Sequence, residues 1–166
     1  MTHPTWLLPL NQQGSGLVLT PCPGTKGVDL SSSLEQLKSQ GVTVVVTALS
    51  DEELAEKSIE QLGEQVQALG MQWFQLVIED DCAPDASFQM KWDAVSPHIQ
   101  AALHNDQKVA MHCMGGSGRT GLLAAHALLE RDWILDDIVR EVKALRPGAF
   151  SKPVQVEYIQ QVAARY

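Results

Sequence analysis

One cysteine, three glycines and one arginine fall within residues 113–119 of "HCMGGSGRTG" (112–121). The run follows the short apolar segment "KVAM" and precedes "LLAAHALL", so it reads as a turn from a strand into a buried helix. Gly115, Gly116 and Gly118 permit positive φ and carry no side chains, so consecutive backbone N–H groups can turn inward as an anion nest. The following helix adds its own unpaired N–H groups and the positive end of its dipole. Arg119 closes the ring with a planar fork suited to two phosphoryl oxygens. The cradle is therefore Met114, Gly115, Gly116, Ser117, Gly118 and Arg119. A cysteine at its foot is ionised by the same field, and a thiolate facing a bound phosphate is an in-line nucleophile. A lone cysteine is most often a small buried hydrophobe. The arginine six positions on, with three glycines between, favours the nucleophile.

Displacing an alkoxide or phenoxide from phosphorus also needs a proton donor. Upstream, "VIEDDCAPD" (77–85) offers the adjacent pair Asp80 and Asp81, and then Asp85. On the residues alone this is a solvated turn, with Asp85 capping the next helix.

The elements that must position these groups follow from periodicity. "GLVLT" (16–20) is strand-like and leads into an ordered loop, "TPCPGTKG" (20–27). "SSSLEQLKSQG" carries a capping box, Ser32 to Glu35, and ends at Gly41. The β-branched run "VTVVVTAL" (42–49) predicts a strand buried on both faces of a parallel sheet. Ser50 and Glu53 form a second capping box, after which Ile59, Leu62, Val66 and Leu69 continue at helical spacing to Gly70. "MQWFQLVIE" (71–79) reads as a strand. Phe88, Trp92, Val95, Ile99 and Leu103 mark a helix that Pro97 should kink. Ile134, Ile138, Val142 and Leu145 line another, and a last helix starts near Pro153. Alternating strands and helices predict one α/β domain over residues 1–166 with a central, mostly parallel sheet flanked by helices. In such sheets ligands bind beyond the carboxyl ends of the strands, where residues 113–119 fall.

Bulk properties narrow the function. The chain has 166 residues, 45% hydrophobic and 19% charged, with a net charge of −8. That balance argues against nucleic acid or an anionic membrane as partner. No apolar stretch approaches a membrane span, and "MTHPTWLLPL" lacks the pattern of a leader. Cys22, Cys82 and Cys113 are odd in number and widely spaced, so neither disulfides nor zinc is indicated and a cytoplasmic setting is expected. His3, His98, His104 and His126 show no ligand spacing, and no metal or cofactor is expected.

Cys-x5-Arg followed by Thr and preceded by His resembles the signature of the protein tyrosine and dual-specificity phosphatases. Pro23, Gly24 and Lys26, then "LKSQGV", "IEDDCAPD" and "HCMGGSGR", are similar to the kinase-associated phosphatase (cyclin-dependent kinase inhibitor 3) branch, over roughly residues 17–162. The resemblance implies a dual-specificity-phosphatase-like fold and a metal-independent enzyme hydrolysing phosphotyrosine, and phosphoserine or phosphothreonine, through a cysteinyl-phosphate. It implies that Cys113 attacks, that Asp80 is the general acid with Asp81 as alternative, and that Asp85 is structural. It gives Thr120 a hydroxyl contact to the thiolate, against a chemically idle first-turn residue. His112 would orient the loop. Gln155 would lie near the pocket, against a surface helical glutamine. The implied partner is a phosphorylated protein or peptide, with a kinase suggested by resemblance alone, and the chain is expected to be a monomer. Alternatives stay open. They are a phosphoinositide or RNA 5′-phosphate phosphatase, disfavoured by the uncharged loop and net charge; a phosphate-binding pseudophosphatase; a rhodanese-type sulfur transferase; and an arsenate reductase using Cys82. Lys26 and Arg146 either steer substrate or are simply solvated.

Overall fold

The strand that feeds the signature residues lies in the middle of the sheet. The computed structural model describes residues 1–166. In chain order the elements are β1 (Trp6–Pro9), β2 (Gly16–Thr20), α1 (Leu30–Ser39), β3 (Val42–Thr47), α2 (Asp51–Glu56) and α3 (Leu62–Ala68). They continue with β4 (Gln72–Gln75), α4 (Ala86–His104), β5 (Lys108–His112), α5 (Gly118–Leu129), α6 (Leu135–Leu145) and α7 (Pro153–Ala163). The sheet order is β1-β2-β5-β3-β4, parallel throughout except for β1, which runs antiparallel to β2. The expected α/β architecture with a mostly parallel sheet is the one observed.

Register brings the carboxyl ends of the parallel strands into one row. Thr20 and Thr47 both pair with His112, and Gln75 pairs with Thr47. The loops leaving this row share one rim of the molecule. Behind it, α5 is buried at every position from Arg119 to Leu129, as its all-round apolar sequence requires. A helix with no solvent face cannot shift without opening the core, so the turn at its start inherits that rigidity.

Three local expectations are corrected. The cap of α1 is Asp29, whose Oδ1 accepts from Ser32 N at 2.6 Å, so the Ser32–Glu35 capping box does not form. The chain from Ser50 to Gly70 is two helices, because Ser58 adopts φ +57 and breaks the run after Glu56. Within the segment 71–79 the strand is only Gln72–Gln75, although Leu76 N and Ile78 N still donate to Thr47 O and Ala48 O. β1 has no alternation to announce it. Its Pro9 sits on an edge strand, where a missing N–H costs no ladder bond. α4 continues through Pro97.

Candidate active site

At the end of β5 the chain turns sharply over residues 113–117 and enters α5. Gly116 lies at φ +80, and a Cβ there would come within 2.6 Å of Pro21 N and Thr20 C. Only glycine fits so close to the end of β2. The turn brings two donors onto the Cys113 sulfur. Gly116 N–H lies 3.3 Å from Sγ, and the Thr120 hydroxyl lies 3.2 Å from it. Cys113 is 4% exposed, which leaves the sulfur at the floor of a cavity of about 240 Å³. Two donors, one backbone and one side chain, are thus fixed on one sulfur.

Arg119 is 3% exposed, and Nη1 makes all of its hydrogen bonds. Its Nη1 donates to both oxygens of Glu53, at 3.0 and 2.9 Å, and to the carbonyl of Ile78 at 3.1 Å. The Nε–Nη2 edge makes no hydrogen bond and has only the Asp80 carboxylate near it, 3.7 Å from Nε, so its geometry suits a fork to an oxyanion. Glu53 also caps α2, where Ser50 Oγ accepts from Glu53 N and Glu53 Oε1 accepts from Ser50 N, each at 3.2 Å. Sequence reasoning found the cap and missed the arginine. Nothing local to Glu53 signals a partner so far along the chain.

His112 is fully buried between two contacts. One ring nitrogen, Nδ1, lies 3.1 Å from the Cys113 carbonyl, and Nε2 lies 2.6 Å from Thr47 Oγ1. A carbonyl only accepts, so Nδ1 carries the proton and Nε2 accepts from the threonine hydroxyl. That hydroxyl in turn accepts from Trp73 Nε1–H at 2.8 Å. Burial pushes the His112 pKa down to about 4, which keeps the imidazole neutral and the donor directions single-valued. His112 thus ties the Cys113 carbonyl to Thr47 on the neighbouring strand, with neither ring nitrogen free.

The carboxylates differ in their partners. Asp80 and Asp81 both line the cavity. Asp80 Oδ1 lies 3.7 Å from Arg119 Nε. Asp81 adopts φ +60 and points its carboxylate to Lys152 Nζ at 3.6 Å. Asp85 caps α4, accepting from Ser87 N and Phe88 N, in the structural role expected of it. Gln155 is buried on the cavity wall and not on a helix surface; its Oε1 has no hydrogen-bond partner. Arg146 is half-buried and lies off the cavity wall, donating to the signature-loop carbonyls of Gly115 and Gly116. Lys26 lies outside the cavity wall. So does Cys82, which is half-buried with a free thiol.

Buried Cys22 stands against the same loop, its N–H donating to Met114 O at 2.9 Å. Burial, with the charge of Cys113 as the next cause, pushes the Cys22 thiol up to about 12, so it stays protonated while Cys113 is the thiol held by donors.

A mainly parallel sheet with a thiol-and-guanidinium turn at its carboxyl rim is the architecture of the dual-specificity phosphatases. The kinase associated phosphatase whose catalytic-site cysteine is replaced by serine aligns with a TM-score of 0.85 at 23% identity, over 99% of this chain and 96% of that one. Tk-PTP in the active form aligns with a TM-score of 0.71 at 23% identity, over 90% of this chain and 92% of that one.

A family profile described as "Polymorphic toxin system, DSP-PTPase phosphatase" matches residues 24–132, and the chain belongs to this family. Cyclin-dependent kinase inhibitor 3 of Rattus norvegicus is 30% identical over 131 residues, 75% of this chain and 60% of the relative. Tyrosine-protein phosphatase CDC14 of Saccharomyces cerevisiae is 30% identical over 88 residues, which is 52% of this chain and 15% of that protein. The match thus spans under two thirds of either relative. No helix is long and apolar enough to cross a membrane.

Proposed function

We propose that this chain is a metal-independent phosphatase that removes the phosphoryl group from phosphorylated protein or peptide through a cysteinyl-phosphate. The observation that carries it is the Cys113 sulfur, held between Gly116 N–H and the Thr120 hydroxyl on the floor of a cavity walled by Arg119. Arg119 and the inward amides hold the phosphoryl oxygens and stabilise their charge in the transition state. The sulfur attacks phosphorus, the P–O bond to the substrate breaks, and the leaving oxygen takes a proton from Asp80. Water then attacks phosphorus and gives its proton to the Asp80 carboxylate. The S–P bond breaks, and the thiolate returns to its two donors as phosphate departs.

Asp80 is the acid because its carboxylate faces Arg119 across the cavity, whereas Asp81 is drawn aside to Lys152. The likeness to kinase associated phosphatase supports a phosphorylated kinase as substrate. A cytoplasmic, reducing compartment suits a chain whose function needs a free thiol. The chain acts as a single domain and a monomer.

The test is hydrolysis of an aryl phosphate and of phosphotyrosine and phosphothreonine peptides, in EDTA. Wild type turns over. Cys113→Ser is inert, and Asp80→Ala loses on the order of 10²–10⁴ in kcat, the contribution of a general acid. Activity surviving in Cys113→Ser would defeat the mechanism.

A further inference from the structure

The reaction above makes no use of Arg146, yet its guanidinium grips the outside of the signature loop. Nε donates to Gly116 O at 3.1 Å and Nη2 to Gly115 O at 2.8 Å. A face of the same guanidinium lies on the indole of Trp6, 3.8 Å from the ring centroid. A guanidinium donates hydrogen bonds in its plane and is attracted to an aromatic ring through its face, so the two sets of contacts do not compete. Arg146 comes from the C-terminal end of α6 and Trp6 from the edge strand β1. Two segments from opposite ends of the chain thus meet on one loop.

The peptide plane explains what the grip achieves. In a trans peptide the C=O of one residue and the N–H of the next point to opposite sides. The carbonyl of Gly115 shares its plane with Gly116 N–H, and the carbonyl of Gly116 shares its plane with Ser117 N–H. Holding both carbonyls outward on a cation turns both N–H groups inward. One of them is the donor on Cys113 Sγ. The loop needs such a hold, because Gly115 and Gly116 bring no side chains of their own to fix two adjacent planes and glycine is the most permissive residue in the backbone.

We propose that Arg146, braced by Trp6, is a positioning residue that sets the two peptide planes of the signature loop so that their N–H groups face the thiolate and a bound oxyanion. Its effect on turnover rests on the phosphatase reading; its effect on the loop does not. A lysine at 146 is a single point donor and cannot bond two carbonyls in fixed directions as the fork does. A phenylalanine at 6 still offers a ring face to the cation, whereas leucine offers none.

The experiment compares wild type with Arg146→Gln, Arg146→Lys, Trp6→Leu and Trp6→Phe, each checked for folding by circular dichroism. Hydrogen–deuterium exchange of the peptide spanning residues 112–121 reads the loop without ligand. Calorimetric titration with tungstate reads the cradle, and kcat and KM on an aryl phosphate read the reaction. Arg146→Gln is expected to speed loop exchange and weaken tungstate binding by roughly tenfold, the worth of one charge-assisted hydrogen bond, with kcat falling more than KM rises. Arg146→Lys recovers only part of this. Trp6→Leu moves in the same direction by less, and Trp6→Phe behaves as wild type. A folded Arg146→Gln with wild-type exchange and tungstate affinity overturns the proposal. Should Arg146→Gln fail to fold, Trp6→Leu set against Trp6→Phe decides, since both keep the arginine; equal exchange and affinity in those two overturns the brace. A wild type that neither binds tungstate nor turns over defeats the phosphatase function, and the exchange series still decides the clamp.

Discussion

The loop of the proposed nucleophile and the loop of the proposed acid face each other across one cavity and are built on opposite plans. Cys113 and Arg119 are 4% and 3% exposed, and the loop between them is bonded to Cys22 beyond β2, to α5 and to Arg146. The side chains of Asp80 and Asp81 are 72% and 69% exposed, and their ion pairs span 3.7 and 3.6 Å. The phosphate is the same size in every substrate, so its cradle gains from being fixed before binding. The leaving group differs from substrate to substrate, and a proton donor on a lightly held loop can meet more than one. Rigidity is placed where the chemistry is invariant.

Breaking the rigid side should have the larger effect. A methyl group at Gly116 would collide with the backbone at Thr20 and Pro21 while φ stays at +80. Neither the strand end nor the loop can yield cheaply, since both belong to the packed core. Gly116→Ala is expected to lose at least about 10²-fold in kcat, as a misplacement near 1 Å does, and to lose tungstate affinity as well. Asp80→Ala should leave tungstate affinity in place. Equal tungstate binding by wild type and Gly116→Ala would show that the cradle is not preformed.

Glu53→Gln weakens the same side from behind. The carboxamide keeps one acceptor for Arg119 but no charge, and it can no longer serve the fork and the α2 cap equally. Expected losses are roughly 10-fold to 100-fold in kcat, together with about 1–3 kcal/mol of stability, the range for depriving a buried charged group of its partner. Thermal denaturation alongside steady-state kinetics checks both. An unchanged kcat would mean that the Arg119 fork is held by Ile78 O alone.

A smaller effect separates the two regions by pH. His112, behind the signature loop, and His126, between Phe88, Trp92 and Tyr158, are both pushed down to about 4 by burial. The unfolded chain takes up protons on these residues below about 6.5, where the folded chain does not. Stability is therefore full at neutral pH and falls as pH drops from 6.5 towards 4, by up to about 3 kcal/mol per histidine. His126→Phe should flatten that slope without moving kcat, because His126 lies away from the cavity. A slope identical to wild type would remove His126 from the account.

How much of this was legible beforehand depended on distance along the chain. The cradle is a continuous stretch, and its residue types carry their geometry with them, so Cys113 to Arg119 are legible from spacing, whereas the Thr120 hydroxyl rests on the resemblance. The sheet followed from β-branched runs such as Val42–Thr47. Other features depend on contacts made only after folding. Glu53 announced its cap, three residues away, but not Arg119. Arg146 looked like a solvated base, because Trp6 and the loop carbonyls that hold it are remote in sequence. β1 was silent, being four residues without alternation, and the break at Ser58 is a non-glycine residue at positive φ that no propensity forecasts. Gln155 was ambiguous because helical spacing alone does not say which face of α7 meets the cavity.

The smallest effect tests the adjustable side. Lys152 and Asp81 form an ion pair across the mouth of the cavity, with side chains 52% and 69% exposed. Such pairs contribute about 0–1 kcal/mol in water and less in salt. Asp81→Ala removes the pair and leaves Asp80 in place, so kcat on a small aryl phosphate should change by less than about threefold, within what an exposed pair can do. Asp81→Gly should go further and gain slightly in stability, because the backbone at 81 holds φ +60, which glycine adopts without strain. If Asp81→Ala instead loses as much activity as Asp80→Ala, the acid is Asp81. The loop would then have to turn before each reaction, and the flexible side of the cavity would be a moving part in the reaction and not an accommodation to it.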